Sequence, residues 1–375
     1  MKRKLPFLEA IAVLVGTIIG AGILGIPYVV AKAGFWTGLV VLLVITVAVI
    51  FVDLFLGEIV LSTKKRHQLT GYAEEYLGKP GKYLMFFSVI FSFYGALLAY
   101  IIGEGEVLAA LAGGSPFIYS LLFFSFASLL VYLGLTVVKK FEFVMTLAVL
   151  LLVFIVAIRG LGFINLHNLG SFSWQKLFWP YGVIFFAMSG ASAIPQLRDC
   201  LKGREKLIKT AIITGVFIPF FVYLIFMFLV VGIAGVKTTE VATIGLGQVM
   251  GRLMVIIGNL FAFFTMATSF LALGLALKDT YQLDLKLKHF WAWALACLVP
   301  LLIFIFGLRS FIKVIGTVGA IGGGLEGLLI LVIYLKLKSL KVKQRTPEYR
   351  LKLLWPFLLI IGLIFIGGFI YTLVS

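Results

Sequence analysis

Residues 16–27 read GTIIGAGILGIP, and residues 185–195 read FFAMSGASAIP. Each stretch lies within an apolar run of about 20 residues or more, which is the length that crosses a bilayer as one helix. Each has a cluster of small residues near the middle of its run and a proline toward the end. Glycine- and proline-interrupted segments at corresponding places in two halves of a chain are a strong indication of a binding site. We therefore expect a helical bundle in which two spanning helices are broken inside the membrane.

The composition of the whole chain agrees with this expectation. Of its 375 residues, 62% are hydrophobic and 13% are charged, and the mean hydropathy is +1.16. Soluble domains average about 45–50% apolar and about 25% charged residues. The net charge of +17 is spread between the hydrophobic runs and not gathered on one folded surface, as it would be in a nucleic-acid-binding protein. The chain is therefore predicted to be an all-α polytopic membrane protein whose partner is the lipid bilayer and not nucleic acid.

The apolar runs predict eleven spanning helices and a cytoplasmic N-terminus. Seven of the 32 Lys and Arg residues fall on the side opposite the N-terminus or at the helix ends there. The other 25 fall on the N-terminal side, which by the positive-inside rule is cytoplasmic. We expect a multi-pass protein of the cell (plasma) membrane with its C-terminus outside. The predicted helices span residues 8–32, 34–62, 82–110, 116–138, 141–161, 176–198, 207–234, 252–277, 290–307, 309–335 and 352–373.

The two interrupted helices divide the chain into two similar units. Helix 1 runs outward and helix 6 inward, with five helices from one to the next, so the units have opposite topology. Residues 8–161 form the first predicted repeat and residues 176–336 the second. Residues 1–7 are a predicted cytoplasmic tail, and residues 352–375 hold the eleventh helix.

Two motifs that suggest an enzyme do not fit a spanning helix. Gly20 to Gly25 matches the dinucleotide fingerprint G-x-G-x-x-G, which requires a preceding strand and a βαβ unit. Ser189 lies in a sequence resembling that of an intramembrane serine protease, but no histidine is placed to activate it. Cys200 and Cys297 lie on different elements and indicate neither a disulfide framework nor a metal cluster. We therefore do not expect an enzyme.

The small residues have a different physical use. Non-helical backbone survives in a membrane only where it lines a cavity. Unwinding near Gly20–Gly22 and Ser189–Ser192 would expose N–H groups, C=O groups and half-helix ends of both signs. Positive helix ends attract a carboxylate and carbonyl-rich ends attract an ammonium group or a cation. An amino acid zwitterion suits such a pair of sites.

The same stretches resemble a known family. Residues 16–38, GTIIGAGILGIPYVVAKAGFWTG, resemble the amino acid/auxin permease group of the APC superfamily, which has the LeuT fold. Residues 185–226, which begin FFAMSGASAIPQLRDC, are similar to the bacterial hydroxy and aromatic amino acid permeases. The resemblance implies a LeuT-type 5+5 inverted repeat with broken helices 1 and 6, plus an eleventh transmembrane helix. It also implies ion-coupled symport of an amino acid by alternating access.

The resemblance further implies a substrate site between helices 1 and 6. Ala191-Ser192 stands where the permeases often carry a bulkier aromatic residue or His, so a strictly aromatic substrate is not expected. The resemblance implies a neutral amino acid with an aromatic or other hydrophobic side chain. Helix 3 of LeuT-like transporters commonly places a tyrosine near the substrate carboxylate, and Tyr100 has roughly the right depth, with Tyr94 as the alternative. The implied substrate-binding residues are Thr17, Gly20, Ala21, Gly22, Ile23, Tyr100, Phe186, Met188, Ser189, Gly190 and Ser192.

Two kinds of coupling ion remain open. Sodium-coupled relatives hold a cation between helix 1 carbonyls and helix 8 hydroxyls, which here correspond to Gly16, Ile19, Thr265, Thr268 and Ser269. Similar bacterial permeases are generally proton-coupled, and an acidic residue inside a membrane is a functional candidate by default. Glu326, among glycines on helix 10, and Glu104 on helix 3 are the proton-site candidates, and proton coupling is favoured. No cofactor is expected apart from sodium, if sodium is the coupling ion.

The sequence supports two further expectations. Glu58, in the cytoplasmic third of helix 2, is expected to pair with a base and to act in structure or gating. A channel or passive membrane subunit is the alternative from another class of function. That alternative predicts no saturable uptake and no loss of function when Gly20 or Gly190 is replaced by Val.

Overall fold

The computed structural model describes residues 5–134, 151–152, 154–155, 158–283, 286–340, 344–352 and 355–374. Within these ranges the chain is helical and has no strand. One π-helical segment, Val318–Gly323, separates α12 from α13. The α-helices are α1 (Leu5–Ile18), α2 (Gly22–Ala33), α3 (Phe35–Ser62), α4 (Leu69–Ala112), α5 (Pro116–Leu133), α6 (Tyr181–Met188), α7 (Ile194–Cys200), α8 (Ile208–Ala234), α9 (Ala242–Met250), α10 (Arg252–Leu283), α11 (His289–Ile305), α12 (Phe311–Thr317), α13 (Gly324–Ser339) and α14 (Trp355–Val374).

The described helices agree with the predicted spans. Seven are long and apolar enough to cross a membrane, and the bent pair α1 and α2 makes an eighth. Helix 6 is present as the short helices α6 and α7, and helix 9 as α11. Most of predicted helix 5, residues 141–161, lies outside the described residues. Large apolar side chains such as Leu43, Val47 and Leu363 are exposed on the bundle, as lipid-facing residues are.

Predicted helix 3 begins earlier than the hydrophobic pattern indicated. The helix α4 starts at Leu69 and not at residue 82, because a short polar helix precedes the spanning part. The two parts meet at Gly78, whose φ of 72° is readily adopted only by glycine. Hydropathy alone detects the spanning part because the first nine residues of α4 are too polar to be counted with it.

The bundle has two end faces. The N-terminal face is the end at which α1 begins and α3 ends, and the opposite face is the end at which α2 ends. The helix α8 packs against α1, α2 and α3, while α4 packs against α10, α5, α13 and α11. Contacts of α3 with α13 and with α6, and of α6 with the π segment, connect these two groups.

Predicted helix 10 is not one regular helix. Its glycine-rich middle forms the π segment, and this segment crosses α6 at very short distance. A Cβ atom added to Gly319 would lie 1.9 Å from the Gly182 carbonyl oxygen, and one added to Gly182 would lie 2.1 Å from that of Gly316. Only glycine allows this backbone contact, and π segments occur frequently at functional sites.

Candidate functional site

The break in helix 1 lies between Ile18 and Gly22. The helices α1 and α2 meet there at an angle of 53°. The Gly20 amide donates to Ile18 O at 3.0 Å, and the Leu24 amide donates to Ala21 O at 3.0 Å, so short turns replace the regular helical pattern. The carbonyl end of α1 and the amide end of α2 therefore face each other across Ile19–Ala21.

The break in helix 6 lies between Met188 and Ile194. Ser189 is extended, with ψ of 118°, and a single turn over Ala191–Ala193 follows before α7 begins. Pro195 lies in the first turn of α7, where its missing N–H has no helical acceptor to lose. The proline thus starts the second half-helix and does not kink a continuous one. Both predicted breaks are confirmed.

One tyrosine connects the two breaks. The Tyr223 hydroxyl on α8 is shared between Ile18 O, at 2.7 Å, and Ala187 O, at 3.0 Å. These are carbonyl groups at the ends of α1 and α6, where no helical amide follows to bond them. Tyr223 is fully buried. Sequence reasoning missed this residue because a tyrosine inside an apolar run carries no local signal of such a contact.

A cavity of about 150 Å³ lies between the breaks, and we call it the central cavity. Eight of the implied substrate-binding residues line it: Thr17, Gly20, Ala21, Gly22, Tyr100, Phe186, Ser189 and Ser192. Ile23 and Met188 do not, because both side chains are buried in the apolar core. Gly190 packs against α1, where an added Cβ would lie 2.7 Å from Ile18 Cγ1, and it lines a second, smaller cavity.

The central cavity combines hydroxyl groups with apolar side chains. No charged side chain occurs among its described lining residues. Sequence reasoning missed Ser92 and Ala96, although both share one helix face with Tyr100 at intervals of four residues, which could have revealed them. It also missed the π segment, which contributes Val318 and Gly319.

The exposure of the lining residues shows the direction in which the central cavity opens. Thr17 and Ser192, on the N-terminal-face side of the two breaks, are exposed. Gly22, Ala187 and Val318 are buried. The cavity therefore communicates with the N-terminal face and is closed toward the opposite face.

Two of the implied cation ligands, Thr265 and Thr268, use their hydroxyl groups within their own helix. The Thr265 hydroxyl donates to Phe261 O at 2.9 Å, and the Thr268 hydroxyl donates to Phe264 O at 2.8 Å, each within its own helix. Ser269 approaches the Tyr100 hydroxyl. Gly16 and Ile19 lie on the α1 side of the helix 1 break, and α1 packs mainly against α7 and α8. The sodium site therefore remains a prediction.

The two proton-site candidates have different surroundings. Glu326 lines the second cavity, of about 20 Å³, together with Asp53 and the helix 6 break; we call it the acidic cavity. Glu104 is fully buried on α4, and neither of its carboxyl oxygens forms a hydrogen bond within the described structure. It lines neither of these two cavities.

Glu58 forms an ion pair, as expected from the sequence. The Lys338 Nζ donates to Glu58 Oε1 at 2.7 Å, and the Leu351 amide donates to Oε2 at 2.9 Å. Tyr349, in the connection between α13 and α14, donates to Leu54 O at 2.7 Å. Burial, with the carboxylates of Glu58 and Asp53 adding to it, raises the pKa of Tyr349 well above its ordinary value. Its hydroxyl therefore stays protonated and remains a donor, and the connection is fastened to α3 at the N-terminal face.

Known proteins resemble the chain along most of its length. It is 25% identical to Glutamine transporter 2 of Aliivibrio fischeri over 355 residues, which is 90% of this chain and 89% of the relative. It is 27% identical to Tyrosine-specific transport system 1 of Haemophilus influenzae over 331 residues, 81% of each chain.

Solved structures establish the fold. MhsT, crystallised in complex with L-phenylalanine, superposes with a TM-score of 0.67 at 18% identity, covering 98% of this chain and 97% of that one. Mhp1 in its inward-facing conformation gives 0.66 at 15% identity, covering 98% and 88%. The chain therefore has the LeuT fold, as the sequence resemblance implied. The tryptophan/tyrosine permease family matches residues 3–375, so this chain is a transporter and not an enzyme, and it belongs to the tryptophan/tyrosine permease family.

Proposed function

We propose that the protein is a proton-coupled symporter of a neutral amino acid with an aromatic or other hydrophobic side chain, working by alternating access. The observation that carries the proposal is the central cavity, which lies between two broken helices and has no charged side chain among its described lining residues. The half-helix ends complement the α-carboxylate and the α-ammonium group. Phe93, Phe186 and Leu273 provide apolar surface for an uncharged side chain.

The relatives support a neutral substrate without fixing its side chain. One is named for glutamine and the other for tyrosine, and both amino acids are uncharged at neutral pH. A binding site that relies on backbone groups for the zwitterion can accommodate either side chain. We favour tyrosine, tryptophan or phenylalanine because the lining is richer in aromatic and aliphatic side chains than in amide groups.

Within this proposal the site residues have distinct roles. The amides near Gly20–Gly22 bind the carboxylate, with Tyr100 beside it, and Ser189 and Ser192 lie near the ammonium group. Glu326 or Glu104 carries the proton. In the alternative, Gly16, Ile19, Thr265, Thr268 and Ser269 come together around sodium in another conformation of the cycle. We place the N-terminal face in the cytoplasm of the cell on the positive-inside argument, with the C-terminus outside.

Counterflow in proteoliposomes tests the substrate part of the proposal. Vesicles are loaded with unlabelled L-tyrosine, and entry of radiolabelled L-tyrosine is followed while each of the twenty amino acids competes outside. We expect saturable exchange that aromatic and other neutral amino acids inhibit and that lysine and glutamate do not. If exchange is not saturable with any amino acid, the protein is a channel or a passive subunit and the proposal is wrong.

A further inference from the structure

We propose that the coupling proton is held by a pair of carboxyl groups, Asp53 on α3 and Glu326 on α13, which share the acidic cavity behind the helix 6 break. This inference rests on the proposed proton symport. It adds a second carboxyl group that sequence reasoning did not select, and it places the proton next to a moving part of the substrate site.

The geometry of the acidic cavity supports a site for one small species. Its volume is about 20 Å³, which is room for about one water molecule. Asp53 and Glu326 line it from two helices, and Gly190 and Ala191 of the helix 6 break close it. Asp53 is 1% exposed, and its Oδ2 atom has no hydrogen-bond partner in the described structure. A buried oxygen without a partner indicates that a small ligand binds in this cavity.

No base is available to neutralise the two carboxyl groups. No Lys, Arg or His occurs among the described residues that line the acidic cavity. Lys338 lies 12 residues along α13 from Glu326, about 18 Å at the helical rise, and donates to Glu58 and Leu351 O. Arg198 on α7 donates to Val60 O and Thr63 O, toward the N-terminal face.

Two of the three neighbouring tyrosines donate their hydroxyl groups to other acceptors. Tyr349 donates to Leu54 O, and Tyr334 donates to Glu58 and Leu351 O. Tyr181 on α6 packs beside Gly324, and its buried hydroxyl has no partner in the described structure. Two buried carboxyl groups without a cation cannot both be charged. The pair therefore holds at least one proton, and the shared proton can be bound or released according to access from solvent.

The acidic cavity adjoins the central cavity. Ser189 and Gly323 line both of them. Ser189 belongs to the helix 6 break, and Gly323 ends the π segment just before Glu326. A movement of the break that closes around the substrate therefore also changes the access of solvent to the carboxyl pair. Glu104 lines neither cavity and is the competing proton-site candidate, so its variant distinguishes the two sites.

The test uses proteoliposomes with an imposed gradient of one pH unit and a clamped membrane potential. For one proton per substrate this gradient supports about tenfold accumulation of L-tyrosine. We expect Glu326→Gln to reduce the accumulation ratio to about one while counterflow of L-tyrosine stays within threefold of wild type. Glu104→Gln should retain accumulation. In Asp53→Asn, Glu326 no longer shares a proton with a second acid, so the pH midpoint of uptake should fall by at least one unit.

The outcomes separate this inference from the proposed function. Accumulation retained in Glu326→Gln, or lost in Glu104→Gln alone, overturns the carboxyl pair. If Glu326→Gln also loses counterflow, the pH midpoint of uptake in Asp53→Asn becomes the test. An unchanged midpoint in Asp53→Asn overturns the inference. A wild-type protein that exchanges L-tyrosine but accumulates it only on a sodium gradient overturns the inference while leaving amino acid transport intact. Absence of any exchange by the wild type contradicts the proposed function itself.

Discussion

The two helix breaks share a residue pattern but use their glycines differently. A Cβ atom added to Gly20 would have nothing within 4 Å, so this glycine faces the open central cavity. A Cβ atom added to Gly190 would meet Ile18 and Leu14 of α1 at 2.7–3.0 Å, so that glycine is packed. The break in helix 1 thus exposes backbone to the central cavity, whereas the break in helix 6 is packed against α1 and separates two cavities. Small residues in a spanning helix can therefore serve binding or packing, and only their neighbours distinguish the two.

The largest effect on stability is expected at the edge of the helix 1 break. A Cβ atom added to Gly22 would lie 2.6 Å from both Ala187 Cα and Ala187 Cβ, where neither atom can move without shifting α6. We expect Gly22→Ala to lower the free energy of unfolding by about 3 kcal/mol, as for overpacked cores. Thermal unfolding in detergent measures this, with Gly20→Ala as the control. Equal stability of the two variants would mean that the two glycines do not differ in packing.

A larger side chain at Gly20 should affect binding and not folding. The Cβ atom of Gly20→Val has no neighbour within 4 Å and the side chain occupies part of the central cavity, so we expect counterflow of L-tyrosine to fall at least tenfold, or about 1.4 kcal/mol. The unfolding temperature of Gly20→Val should equal that of Gly20→Ala. Unchanged exchange in this variant would show that substrate does not approach the helix 1 break.

Gly190→Ala should affect folding more than binding. The added methyl group meets the side chains of Ile18 and Leu14, which can move partly, so we expect a loss of about 1.5 kcal/mol in stability. Substrate affinity measured in the folded fraction should change less than it does in Gly20→Val. A variant with normal stability and lost binding would place Gly190 in the substrate site, as the sequence had implied.

Tyr223→Phe tests the link between the breaks and has the smallest expected effect. Removing the hydroxyl leaves Ala187 O without this donor and Ile18 O with only the Gly20 amide, at an otherwise unchanged site. We expect a loss of about 1 kcal/mol in stability, the usual value of one hydrogen bond. Unfolding in detergent measures it, with Tyr100→Phe as a control that keeps the link. No loss would mean that these carbonyl groups are satisfied in another way.

The sequence allowed the breaks and the bundle to be predicted, because glycine clusters inside apolar runs mark an interrupted helix wherever it lies. The family resemblance supplied Tyr100 and the other predicted residues that line the central cavity. The place of Asp53 beside Glu326 in one cavity and the contacts of Tyr223 could not be found in this way. Asp53 matters only because α3 faces α13, and Tyr223 only because α8 passes both breaks, which are properties of packing and not of local pattern.

The helix 8 hydroxyls are a case in which a local pattern does not determine the hydrogen-bond partner. Thr265 and Thr268 fit the pattern of cation ligands, yet both donate to carbonyls one turn earlier in their own helix. Local bonding of this kind competes with any ligand for the same hydroxyl. The residue types alone do not indicate which partner prevails in a given conformation.

The most direct measurement is the accumulation of radiolabelled L-tyrosine in proteoliposomes at clamped membrane potential, with a pH gradient or a sodium gradient imposed separately. We expect accumulation above the external concentration with the pH gradient alone, approaching tenfold for one pH unit and one proton per substrate. A protonophore should abolish this accumulation, and replacing sodium with potassium should leave it unchanged. Accumulation driven by sodium at equal pH, or equilibration without accumulation under either gradient, would contradict proton-coupled symport.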